Sequence, residues 1–406
     1  MKILHTSDWH LGRTLERRDR LDEQQEFLEE ICDIANKERV DMVIVAGDVF
    51  DTVNPPAKAE QLFYNYISEL SLNGRRSVVV IAGNHDNPER LKAAVPLAAQ
   101  MGIVLLGLPK DIAAKNIHNS DDKVRVVKSG FCWFELHVPP CDHSAVIISL
   151  PYPSEQRLSE VLTDKLNDKN FQKKFSERIA SVLNQAALNF KNDTVNICTS
   201  HLYVSGGVES GSERCIQLGG TYAVDVNTFP KCHYTALGHL HRSQSVAGKN
   251  DIRYSGSPLA YSFAEAGQVK SVCLAECLPR KEVHVEEVPL NSGRRLVKWT
   301  ATEGMEQAIK WCESTKDANS WIDLEIHTEK PLNQHEVKEL KKLRPHLVSI
   351  RLKLPEMKKI LEVKDYTNMP IVELFEEFYY TKYGSKPDKE LTELFLGFVE
   401  AENLNQ

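Results

Sequence analysis

Over the first hundred residues the apolar positions switch between two periods. Met42 to Ala46 and Val78 to Ala82 are unbroken apolar runs, the pattern of strands buried on both faces. Lys2 to Thr6 and Ile103 to Leu106 read as further strands. Between them, Leu21 to Arg39 carries Phe27, Leu28, Ile31, Ile34 and Ala35 on one helical stripe, with Glu and Lys opposite. Asn54-Pro55-Pro56 opens a second helix, with proline in the first turn where it is tolerated. Its stripe is Ala59, Leu62, Phe63, Tyr66, Ile67 and Leu70. Pro88 to Met101 reads as a third helix. Strand and helix therefore alternate, which predicts parallel βαβ units with right-handed crossovers.

The period changes after Val124. Segments between Val124 and Leu150 read as antiparallel strands joined by turns. Lys169 to Phe190 is an amphipathic helix, Thr194 to Ser200 and Tyr234 to Leu237 are strands, and Val269–Glu276 with Val283–Pro289 forms a closing hairpin. Asn291-Ser292-Gly293 is the clearest linker. Beyond it, strands near Leu296, Trp321 and Leu347 alternate with helices near Met305 and Asn333, a small α/β cap. Two helices follow, Pro370 to Tyr383 and Lys389 to Glu402. Their faces hold Ile371, Leu374, Phe375, Phe378 and Leu391, Leu394, Phe395, Phe398. Two short helices cannot bury that much apolar surface alone. The expected domains are 1–290, 294–355 and 366–406.

Composition narrows the class. The 406 residues are 42% hydrophobic and 26% charged, ordinary values for a globular protein. The net charge of −7 gives no overall basic field, so any nucleic-acid contact must be local. The 9 cysteines are scattered singly, which argues against a disulfide framework or a zinc knuckle. The N-terminus enters a strand directly, and no apolar run approaches the ~20 residues that span a bilayer. A cytoplasmic, bacterial setting is expected.

The chemistry collects where the strands end. Asp8 and His10 follow the first strand, Asp48 the second, Asn84 and His85 the third, and His201, His239 and His241 two later ones. Ligands in α/β sheets bind at these carboxyl ends. Carboxylate, imidazole and carboxamide without thiolate suit Mn²⁺, Fe or Zn²⁺. Asp8, His10, Asp48, Asn84, His201, His239 and His241 are too many for one open ion, but they suit two ions sharing a carboxylate. Such pairs, ~3.5–4 Å apart, clamp the attacking and leaving oxygens of a phosphoester displacement and lower the pKa of water.

In order, Asp8-x-His10, Gly47-Asp48-x-x-Asp51, Gly83-Asn84-His85-Asp86, His201 and Gly238-His239-x-His241 resemble the signature of calcineurin-like metallophosphoesterases. Thr6-Ser7-Asp8-Trp9-His10-Leu11-Gly12 and Ser255-Gly256-Ser257-Pro258 resemble the DNA-nuclease branch of that family. The resemblance implies a four-layer α/β core with a cap and a C-terminal helix pair. It implies one metal on Asp8, His10, Asp48 and His241, and a second on Asp48, Asn84, His201 and His239, with Asp48 bridging. His85 would face the scissile phosphate as general acid or stabiliser, and Asp51 and Asp86 would orient neighbouring histidines. The implied cofactor is two Mn²⁺, with Fe, Zn²⁺ or Mg²⁺ open. The implied partners are DNA, an ATPase that docks on the C-terminal helices, and a second copy through helices 56–72 and 88–101, where the apolar stripes could equally be core. Arg13, Arg17, Arg18 and Arg20 could line a DNA groove, but the interleaved Glu16, Asp19 and Asp22 leave a solvated helix entrance equally open. A phosphatase, a small-molecule phosphodiesterase and a metal-free scaffold are the rivals.

Overall fold

The unbroken apolar run at Met42–Ala46 is explained by what lies on its two sides. As strand β2 it sends Val43 and Val45 toward one helical layer and Met42, Ile44 and Ala46 into the space between two sheets. The computed structural model describes residues 1–115, 122–139, 141–154, 157, 171–213, 223–329, 331–354, 369–383, 386–389 and 391–396. Its chain divides into two units, Met1–Lys353 and Leu354–Gln406.

In the first unit, β1 (Lys2–Thr6), β2, β3 (Ser77–Ile81) and β4 (Ile103–Leu106) are parallel neighbours. Two antiparallel strands, β12 (Ser271–Glu276) and β13 (His284–Pro289), extend the β1 edge, so the predicted closing hairpin joins this first sheet. The second sheet has seven strands. Along it lie β10 (Gln244–Val246), β11 (Lys249–Tyr254), β9 (Tyr234–Gly238), β8 (Val195–His201), β7 (Ala145–Leu150), β6 (Trp133–His137) and β5 (Arg125–Gly130).

Ile3, Ile44 and Val79 of the first sheet meet Ile147, Ile197 and Tyr234 of the second. Helices α1 (Leu21–Lys37) and α2 (Ala57–Leu70) cover the outer face of the first sheet through Phe27, Ile31, Phe63 and Ile67. Helix α5 (Phe171–Ala187) covers the second with Phe175, Ile179 and Leu183. The result is the expected helix–sheet–sheet–helix sandwich.

Two expectations change. The helix read across 88–101 is broken into α3 (Pro88–Lys92), α4 (Val95–Ala98) and a turn of 3₁₀ helix. Pro96 lacks the N–H that a continuous helix needs and sits instead in the first turn of α4. The hairpin β10–β11 was illegible in the sequence. Its two-residue turn, Ala247-Gly248, takes positive φ at both positions without the Asn-Gly signal that marks such turns.

The cap sheet is β14 (Arg295–Ala301), β15 (Ser320–His327) and β16 (Leu347–Lys353), all parallel, with α6 (Met305–Glu313) and α7 (Gln334–Leu343) packed on it through Ala308 and Leu340. The linker that precedes it is pinned. Asn291 and Ser292 donate backbone N–H groups to Glu30, Gly293 to Glu26 and Arg294 to Glu23. These three glutamates lie on one face of α1, at the spacing that stacks helical side chains. Glu23 also receives Trp321 Nε1 of the cap at 2.9 Å, and Leu15, Phe263, Leu296 and Trp321 close the junction.

In the second unit, α8 (Ile371–Tyr383) pairs with a helical segment at 391–396. Phe375 stacks on Phe395 with centroids 4.0 Å apart, while Ile371, Phe378, Tyr380 and Leu394 remain exposed. Phe398 and the predicted end of that helix lie outside the described residues. No helix among the described residues is long and apolar enough to cross a membrane.

Candidate metal centre

The ends of β1, β2, β3, β8 and β9 converge at the rim between the two sheets. The backbone there is strained: Asp8, His10, Asp48 and His239 all have positive φ, of 54°, 45°, 50° and 109°. Non-glycine residues rarely adopt such angles, and they persist only where surrounding contacts enforce them. Here Asp8 N donates to Gly47 O at 2.9 Å, His10 N to Asp48 O at 3.0 Å, and His239 N to the Asp8 carboxylate at 3.0 Å. Two glycines allow the closest approaches. A Cβ on Gly47 would fall 2.3 Å from His201 Nδ1, and one on Gly83 would fall 2.0 Å from Asp48 Oδ1.

All seven predicted donors come together. His10 Nε2 and His241 Nε2 face each other at 3.0 Å. Asp48 Oδ2 lies 3.7 Å from His10 Nε2 and 3.4 Å from His201 Nε2. Asn84 Oδ1 lies 2.9 Å from His201 Nε2 and 3.2 Å from His239 Nδ1. Asp8 groups with His10 and His241 on one side, and with Asp48 and His201 on the other, each set with donor atoms within 4.8 Å. Asp48 thus sits between two clusters. His85 stands beside them, its Nδ1 donating to Asp51 O at 2.7 Å and its Nε2 4.0 Å from Asp48 Oδ2.

Burial sets the charges. It opposes ionisation of Asp48, yet His201, His10 and His85 hold that carboxyl well below its usual range. Burial likewise opposes the His201 cation, but Asp48 outweighs it and lifts the imidazole to about 9. Burial dominates at Asp8, pushed up to about 6, at His239, pushed down to about 3, and at His10, well below its ordinary value. His10 Nδ1 is buried without a hydrogen-bond partner. A sealed set of imidazole, carboxylate and carboxamide donors at these separations fits a divalent cation.

Several supporting residues carried no signal in the sequence. Ser212 Oγ pairs with His241 Nδ1 at 2.7 Å, leaving Nε2 to face the site. Glu213 accepts the His241 backbone N–H at 3.0 Å. Gln24, on α1, holds the loop after His10 by accepting from Gly12 N and donating to the carbonyls of His10 and Arg13. Only spacing across hundreds of residues links these groups, so no local pattern marks them.

Two expected roles need correction. Asp86 meets backbone rather than histidine: its carboxylate accepts from Val49, Phe50 and Gly83 N–H, tying the second and third metal loops together. Arg20 is not available to a DNA groove. It is 1% exposed, bonded through Nε and Nη2 to Glu23 and through Nη1 to Ala260 O. Asp51 does approach His10 Nδ1, at 3.6 Å. Arg17 and Arg18 are exposed, Arg13 is half-buried, and Arg214 lies outside the described residues.

Fold and donor set define a metal-dependent phosphoesterase. Residues 1–243 match the calcineurin-like phosphoesterase family, and the chain belongs to it. Within that class the similarity is to one kind of protein, the SbcD component of the SbcCD nuclease. SbcD of Bacillus subtilis (strain 168) is 43% identical over 399 residues, 98% of this chain and 97% of that protein. SbcD of Escherichia coli (strain K12) is 31% identical over 342 residues, 82% and 80% of the two chains. SbcD of Staphylococcus epidermidis is 27% identical over 403 residues, 98% and 99%.

Proposed function

We propose that this chain hydrolyses DNA phosphodiester bonds as the nuclease subunit of an SbcCD-type complex. It would act as an ATP-dependent exonuclease on duplex ends and as an endonuclease on single strands and hairpins. The observation that carries the proposal is the convergence of seven donors around Asp48 with His85 alongside. Asp8, His10, Asp48 and His241 would hold one ion, and Asp48, Asn84, His201 and His239 the other, with Mn²⁺ the expected metal. Bound there, the ions supply charge neutralisation at the phosphate and acidify water near neutral pH. The chain does the rest. His201 Nδ1 donates to Ala46 O at 2.8 Å, which turns its Nε2 toward the site. His85 is oriented in the same way by Asp51 O, so its Nε2 is placed to give a proton to the leaving oxygen.

The domain assignment follows: a nuclease domain at 1–290, a cap at 294–355 that shapes access, and a C-terminal helix pair at 366–406 that receives the SbcC ATPase. The exposed apolar residues of that pair support the last point. Homodimerisation through 56–72 and 88–101 is supported by Leu97, which is 72% exposed. The test incubates the protein with Mn²⁺ and labelled hairpin DNA, a phosphomonoester or a cyclic nucleotide, as wild type and His85→Ala. DNA cleavage that disappears in the variant supports the proposal. Monoester turnover without DNA cleavage supports a phosphatase, and silence throughout supports a scaffold.

A further inference from the structure

We propose that Arg13 binds the scissile phosphate itself, as a fixed partner of His85, and is not a contact to the flanking DNA backbone. The inference rests on the site being a phosphodiesterase. Of the four arginines after the first metal motif, Arg20 is locked inside the protein and Arg17 and Arg18 project into solvent. Arg13 alone turns toward the metal centre. With Thr14, Asp51, Thr52, His85 and Ser212 it lines a cavity of about 350 Å³ at the mouth of the site.

Its guanidinium is held from three sides. Nη2 donates to Ser212 O at 3.1 Å, Nε lies 3.8 Å from Asp51 Oδ1, and Cζ stands 5.1 Å from the centre of the Tyr261 ring. Gln24 fixes the backbone on which it stands. A planar group held on one edge and one face presents its remaining N–H donors in a set direction. The same Asp51 oxygen lies 4.0 Å from His85 Nδ1, so one carboxylate registers the cation against the proton donor. A guanidinium fork matches two non-bridging phosphate oxygens, and holding a donor ready where charge develops is the main source of catalytic stabilisation at such sites. The floor beneath the cavity carries Asp8 and Asp48, so a cation at the mouth also draws an anionic diester past the carboxylates.

The experiment uses the full chain with Mn²⁺, as wild type, Arg13→Ala and Arg13→Lys. Three quantities are read: kcat/KM on hairpin DNA and on bis(p-nitrophenyl) phosphate, competitive inhibition by inorganic phosphate, and Mn²⁺ stoichiometry by calorimetry. Arg13→Ala is expected to lose about 10²-fold on both substrates and to weaken phosphate inhibition, with Mn²⁺ binding intact. Arg13→Lys is expected to recover part of the loss, because a point charge replaces the fork. Loss on DNA alone, with the small diester unaffected, overturns the proposal and makes Arg13 a groove contact. Loss of Mn²⁺ binding in both variants also overturns it and makes Arg13 a brace for Ser212 and His241. Wild type inert on both substrates rejects the phosphodiesterase reading, and this inference with it.

Discussion

Lys270 donates its ammonium to the backbone carbonyl of His241 at 2.9 Å while ion-pairing with Glu265. The two side chains are 10% and 0% exposed, and Glu265 Oε1 also lies 3.9 Å from His241 Nδ1. A buried ion pair therefore stands directly behind a predicted metal ligand. Lys270 O also accepts from Leu290 N at 2.8 Å, so the same residue touches the start of the cap linker.

Removing one member of that pair leaves the other buried and uncompensated. Glu265→Ala is expected to cost about 3–5 kcal/mol of stability. Urea unfolding in the presence of a chelator measures it without metal linkage. A change below about 1 kcal/mol would show that the pair is solvated in solution.

Metal affinity should depend on pH with a defined sign. Asp8, lifted to about 6, holds a proton below that pH. His201, lifted to about 9 by Asp48, holds one across neutrality. Ligands must shed protons to bind a cation. Mn²⁺ affinity should fall steeply as pH drops through about 6, and binding near pH 7.5 should release protons. Calorimetry in buffers of different ionisation enthalpy reads both effects. Affinity constant from pH 5.5 to 8 would contradict the electrostatics.

The three glutamates that pin the cap linker should not be equivalent. Glu23 is buried and serves Arg20, Trp321 and Arg294, whereas Glu26 and Glu30 hold the linker from the surface. Glu23→Ala should destabilise by about 3–5 kcal/mol and open residues 291–295 to limited proteolysis. Glu30→Ala should cost less than about 1 kcal/mol. Equal effects, measured by thermal unfolding, would refute the ranking.

Much of this architecture was legible in the sequence for a physical reason. A strand buried on both faces must be apolar throughout, so Met42–Ala46 and Val78–Ala82 announced the sheet. The polar residues that interrupt such runs, Asp8, Asp48, Asn84, His201 and His239, announced the rim. Pairings between distant loops were not legible. Arg20 sits in a sequence that reads as a basic surface, and its burial depends on Glu23 and Ala260, which only the fold brings to it. Asp86 looked like a histidine partner because it neighbours His85, yet its carboxylate turns back to the strand ends. Gln24, Glu265 and Lys270 lack any periodic or motif signature.

Removal of residues from Pro370 onward should abolish co-purification with SbcC, since Phe378, Tyr380 and Leu394 leave apolar surface exposed on that helix pair. Metal binding by the truncated chain should be unchanged. Undiminished co-purification would move the docking surface elsewhere.

Anomalous diffraction at the manganese edge from a Mn²⁺-soaked crystal examines the metal centre most directly. Two peaks are expected, one on each side of the Asp48 carboxylate, the first contacted by His10 and His241 and the second by Asn84, His201 and His239. A single peak remote from Asp48, or no peak with these side chains beyond coordinating distance, would contradict a dinuclear centre.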